Sequence, residues 1–147
     1  MKKIVVLISG RGSNFLAIQE TALREDWANT IDAKIVGVIS NRPDAKGLEL
    51  AAGYGIDTKV IDHKLFETRE AFEEELYKAV SAYEPDLIVL AGFMRILTAG
   101  FVDRFPGKIL NIHPALLPSF KGLDTHQRAI DAGCRVHGTT VHFVTAA

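Results

Sequence analysis

The chain has 147 residues, enough for one compact domain with a core and too few for two. Apolar residues make up 48% and charged residues 24%, which excludes a disordered or fibrous chain. Lys and Arg number 17 against 18 Asp and Glu, a formal net charge of -1, so no basic surplus suits a nucleic acid and a small ligand is the expected partner. In chain order the expected strands are Lys3 to Ser9, Ala33 to Ser40, Thr58 to Ile61, Leu87 to Ala91, Lys108 to Ile112 and Val136 to Val144. Helical spacing predicts Asn14 to Glu25 behind a Ser13 cap and Ala45 to Gly53 behind Asp44. It also predicts Arg69 to Tyr83, with Phe72, Leu76, Ala79, Val80 and Tyr83 on one face, and a short helix from Thr125 to Ala132. The stretch from Gly92 to Gly107 has apolar residues without a clean period and reads as a packed loop.

Apolar strands alternating with helices imply a mostly parallel sheet flanked by helices, a Rossmann-like doubly wound α/β fold in a single domain. Ligands then bind outside the carboxyl ends of the strands. Met1-Lys2-Lys3 precedes an apolar run that breaks at Ser9-Gly10, short of the roughly seven residues that a signal sequence needs, and it reads as a strand. No run approaches the roughly 18 apolar residues of a membrane span, so no membrane association is expected. The lone Cys134 has no disulfide partner, no Cys/His spacing matches a metal site, and a cytoplasmic location fits.

Three segments carry chemistry. Ser9-Gly10-Arg11-Gly12-Ser13-Asn14 lies between the first strand and the first helix, where backbone N–H groups and the helix dipole favour an anion. The third glycine of a dinucleotide fingerprint falls on Phe15, so a phosphomonoester fits better than a dinucleotide; a plain tight turn uses the same residues. Ala91 to Leu97 follows the fourth strand at the same edge, where apolar side chains and free backbone suit a flat heterocycle, or serve only as core. Asn111 and His113 stand two apart at the end of the fifth strand and so share a face. Pro114 is expected to end the ladder by removing a backbone donor. An amide donor beside an imidazole suits a reaction in which charge grows on an oxygen while a proton moves.

Together, Ile8 to Asn14, Ala91 to Leu97 and Asn111 to Pro118, continuing through Gly122 to His126 and His137 to Thr145, resemble the folate-dependent phosphoribosylglycinamide formyltransferases. The likeness covers essentially the whole chain. It implies that Gly12, Ser13 and Asn14 hold the phosphate of glycinamide ribonucleotide. It implies too that Arg69, Met94, Arg95, Ile96, Leu97, Asn111 and Thr145 contact 10-formyltetrahydrofolate, and that Asn111 and His113 are catalytic. The implied reaction moves the folate's formyl group to the amine of the ribonucleotide in purine biosynthesis, with no metal required. In that family a catalytic Asp falls just past the strand ending at Thr145, beyond Ala147, together with a C-terminal portion. Without that carboxylate His113 is expected nearer the reference value of about 6.5 and mostly neutral at pH 7, so weak or no activity is expected of this chain.

Other folate formyl-group enzymes, acting on methionyl-tRNA or deformylating the folate, share the Asn-x-His and Leu-Leu-Pro elements. They differ by extra domains or a regulatory segment before the phosphate turn. A binding module without turnover, and a nucleotide domain using Arg42 after the second strand, are the alternatives from other classes.

Overall fold

The run Ile4-Val5-Val6-Leu7-Ile8 is apolar at every position rather than at alternate ones, as a strand covered on both faces requires. In the computed structural model, which describes residues 1–95, 97–114 and 139–143, this run is the centre of the sheet. The elements are β1 (Lys2–Ile8), α1 (Ser13–Arg24), α2 (Trp27–Thr30), β2 (Ala33–Ser40), α3 (Lys46–Gly53), β3 (Asp57–Val60) and a 3-10 turn (His63–Leu65). They continue with α4 (Arg69–Ser81), β4 (Leu87–Ala91), α5 (Ala99–Val102), β5 (Ile109–Pro114) and β6 (Thr139–Phe143).

The sheet order is β3-β2-β1-β4-β5-β6. The pairs from β3 to β5 are all parallel, and β6 runs antiparallel to β5. Ile4, Val6 and Ile8 of β1 pack with Phe15 and Ile18 of α1, Trp27 and Ala51. Val5 and Leu7 face the other way, against Phe72, Leu76 and Val80 of α4 and Phe101 of α5. Helices therefore cover both faces, as the strand composition required. Each of these large side chains, fully buried, contributes about 1.5–3 kcal/mol.

Several boundaries move for local reasons. Ser13 is the first residue of α1 rather than its cap; Gly12 caps it with a φ of 76° and no side-chain bond. Ala45, not Asp44, precedes α3, also without a side-chain cap. Thr68 caps α4 by accepting from the Ala71 N–H at 3.1 Å, and the helix stops at Ser81. Beyond it the N–H groups of Tyr83 and Glu84 bond to Val80 and Ser81, a tightened turn that swings the Tyr83 ring onto Gly37.

Pro114 does not end the ladder at Ile112 as expected: β5 runs through Pro114, which pairs with Thr139. β4 pairs with β5 only as far as Ile112, so the missing N–H of Pro114 lies beyond the parallel ladder. The packed stretch after Gly92 contains α5, with Phe101, Val102 and Phe105 buried. The strand expected over Val136 to Val144 is β6 between Thr139 and Phe143, and the helix expected over Thr125 to Ala132 lies outside the described residues. Among the described residues no helix is long and apolar enough to cross a membrane.

Candidate active site at the carboxyl edge of the sheet

Strand order reverses between β1 and β4: β1 leads on to β2 on one side, while β4 leads on to β5 on the other. The chain leaving β1 and the chain leaving β4 therefore turn to opposite faces and open a crevice between them. All three segments singled out from the sequence follow or end these neighbouring strands, β1, β4 and β5, at one edge.

The turn after β1 is held by backbone. Gly47 N–H donates to the Gly10 carbonyl at 3.1 Å and Leu16 N–H to the Gly12 carbonyl at 2.7 Å. A left-handed Gly12 with no side-chain cap leaves the N–H groups of Ser13, Asn14 and Phe15 without intrahelical acceptors. Ser13 is exposed and Asn14 half-buried at this amino terminus, where the dipole adds a partial positive charge. This is the arrangement an anion needs.

The segment after β4 meets that turn. A β-carbon on Gly92 would lie 4.0 Å from Asn14 Nδ2, so the Asn14 amide stands beside the start of this loop. Phe93 and Leu97 pack against the core on the α4 side. Met94 is 80% exposed, which rules out a core role for its side chain. Arg95 reaches α4, its guanidinium carbon 5.9 Å from the centre of the Phe72 ring. Arg69, exposed in the first turn of that helix, is three residues from Phe72 and on its face. Arg95 and Arg69 are thus brought to one end of α4. Ile96 and Thr145 lie outside the described residues.

On β5, Asn111 is half-buried and in register with Leu90 of β4 and His142 of β6; His113 follows at the register of Thr140. Positions 111 and 113 of an unbroken strand share a face, so the expected pairing of amide and imidazole positions is retained by the backbone. Arg42, the residue a nucleotide domain would have used, is ion-paired with Asp44 at 3.0 Å. Among the described residues no three His, Cys, Asp or Glu side chains gather as a metal ion would need.

One feature of this edge escaped the sequence reading. Ser9, 3% exposed, donates its hydroxyl to Asn41 Oδ1 at 2.5 Å and accepts from the Met94 N–H at 2.8 Å. Asn41, 2% exposed, has its side-chain nitrogen 3.2 Å from His63 Nδ1. Both Ser9 and Asn41 directly follow apolar strands, and a polar residue in that position was the signal available.

The formyl transferase family model matches residues 2–147. Phosphoribosylglycinamide formyltransferase of Escherichia coli is 49% identical over 142 residues, 97% of this chain and 65% of its own length. The Haemophilus influenzae protein of the same name is 50% identical over 98% of this chain and 66% of its own. The crystal structure of phosphoribosylglycinamide formyltransferase from Brucella melitensis superposes with a TM-score of 0.77 at 46% identity, covering 98% of this chain and 73% of that one. The chain thus spans just under two thirds of the two curated relatives. With its doubly wound sheet and the three segments at the carboxyl edge, it belongs to the formyl transferase family.

Proposed function

We propose that this chain carries the sites for moving a formyl group from 10-formyltetrahydrofolate to the amine of glycinamide ribonucleotide. The observation that carries the reading is the convergence of an uncapped helix amino terminus, a loop beside it and an amide and imidazole position on three adjacent strands. The names of the similar proteins agree with it.

In this reading the N–H groups of Ser13 and Asn14, with the flexibility of Gly12, hold the ribonucleotide phosphate. Met94, Arg95, Ile96 and Leu97 receive the folate ring, with Arg69 beside them. The substrate amine attacks the formyl carbon and forms the new C–N bond, and negative charge collects on the formyl oxygen. Asn111 donates a hydrogen bond to that oxygen. His113, in the fraction that is protonated, stabilises the same charge and delivers a proton to the folate nitrogen as the old C–N bond breaks, so weak turnover is the expectation for this chain. The proton lost by the attacking amine restores the balance.

The test supplies both substrates and follows formyl-ribonucleotide and tetrahydrofolate together. Equal amounts of the two products support the reading. Release of formate without formyl-ribonucleotide, or transfer only to an unrelated amine, overturns it.

A further inference from the structure

We infer that Ser9 is a positioning residue for the folate-binding loop, although it adjoins the phosphate turn in sequence. The inference rests on the functional reading above. The Ser9 hydroxyl ties three strand ends together: it belongs to the end of β1, donates to Asn41 after β2 and accepts from the backbone of Met94 after β4. A hydroxyl does both at once because it has one donor and two lone pairs.

The two sides of the bond differ in what else holds them. The phosphate turn keeps its shape without Ser9, through the Gly47-to-Gly10 and Leu16-to-Gly12 backbone bonds and the close contact of Gly12 with Gly47. The Met94 side chain is exposed and Phe93 packs on the core, so at Met94 itself the described hydrogen bond to the body of the protein is its N–H to Ser9. Removing the hydroxyl frees the backbone at Met94, between the anchored Phe93 and Leu97, and leaves the turn. Loss of one such bond in a half-buried setting corresponds to about a tenfold change in an equilibrium constant.

Ser9→Ala is therefore expected to weaken binding of 5-formyltetrahydrofolate about tenfold while changing the affinity for glycinamide ribonucleotide less than about twofold. Amide hydrogen exchange at Met94 accelerates in the same variant without any ligand. Ser9→Thr, which keeps the hydroxyl, restores folate affinity, and Asn41→Ala, which spares the bond to Met94, leaves it near wild type. An unchanged far-ultraviolet spectrum and cooperative unfolding establish that Ser9→Ala is folded; if it is not, the Asn41→Ala and Ser9→Thr affinities with Met94 exchange in the wild type decide. Wild-type protein that binds no folate overturns the functional reading. Wild-type binding with equal folate affinity in Ser9→Ala, a greater loss for the ribonucleotide, or an equal loss in Asn41→Ala overturns this inference alone.

Discussion

Gly12 and Gly47 meet backbone to backbone: a β-carbon on Gly12 would stand 2.5 Å from the Gly47 Cα, and one on Gly47 would stand 3.0 Å from the Gly12 Cα. This contact sets the turn after β1 against the first turn of α3. Gly12 also has a φ of 76°, where an L-residue costs about 1–2 kcal/mol before any clash, and the backbone clash adds about 1–3 kcal/mol. Gly12→Ala is expected to lose about 2–5 kcal/mol in urea unfolding. Gly47→Ala should lose less, because alanine gains up to about 1 kcal/mol inside a helix and its other neighbour, Ile8 Cδ1 at 2.5 Å, is the tip of a movable side chain. Equal losses in the two variants would mean that the positive φ and the backbone contact contribute little.

Tyr83 gives a prediction about pH. Its ring covers Gly37, Lys59 Nζ lies 4.4 Å from the ring centre, and its hydroxyl donates to Asp57 Oδ2 at 2.5 Å. Burial first, then that hydrogen bond and the charge of Asp57, push the phenol well above its ordinary range. A raised folded-state pKa stabilises the protein fully below about pH 10, the unfolded value, and the contribution is lost as pH rises beyond it. Tyr83→Phe should therefore cost about 0.5–1 kcal/mol near neutrality, the low end for a solvent-facing bond. The gap between wild type and variant in urea midpoint should close above about pH 10. A gap that is flat across that range would show that the hydroxyl bond is not the source.

Much of the architecture is legible in the sequence. Ala33–Ser40 and Leu87–Ala91 can be read to the residue because these mostly apolar runs are bounded by Asp32 and Asn41 in one case and by Asp86 and Gly92 in the other. Short elements leave no such trace: α2 and α5 have four residues each, too few for a period, and Trp27 is buried through its neighbours rather than its own helix. Gly12, not the expected Ser13, is the cap because the geometry of the turn, not side-chain type, decides it. Of the site, the three segments are visible locally. The Ser9 bonds are not, since they join residues 32 and 85 positions apart and depend on the strand order.

Glu73 is a carboxylate only 7% exposed, and both its oxygens are used by one residue. It accepts from the Thr98 N–H at 2.8 Å and from the Thr98 hydroxyl, and Thr98 in turn caps α5 by accepting from the Phe101 N–H at 3.3 Å. Hydrogen bonds to an ionised group contribute about 1.5–3 kcal/mol, so Glu73→Ala should destabilise the protein by about that amount. Glu73→Gln keeps an acceptor for the N–H and a donor that the Thr98 oxygen can accept, and should cost under about 1.5 kcal/mol. Chemical denaturation of the pair checks the order. Equal losses would assign the effect to side-chain volume rather than to the carboxylate.

Asn111 and His113 occupy alternate positions of β5, Asn111 in register with Leu90 and His113 one residue past the last parallel pair, Ala91 with Ile112. A donor aimed at a developing oxyanion acts mainly in the transition state, so its removal lowers turnover more than substrate binding. In the proposed reaction, Asn111→Ala should reduce the chain's own rate of formyl transfer, itself expected to be low, about 100- to 1,000-fold, and His113→Ala about 100- to 10,000-fold because proton delivery is lost as well. The affinity for the ribonucleotide, which the proposal assigns to the backbone after β1, should stay within about threefold in both variants, since neither residue belongs to that turn. If the two groups act on one oxygen, the double variant is far less impaired than the product of the single effects. Multiplicative losses would instead assign them to separate steps, and a loss of ribonucleotide affinity matching the loss of turnover would make them binding residues.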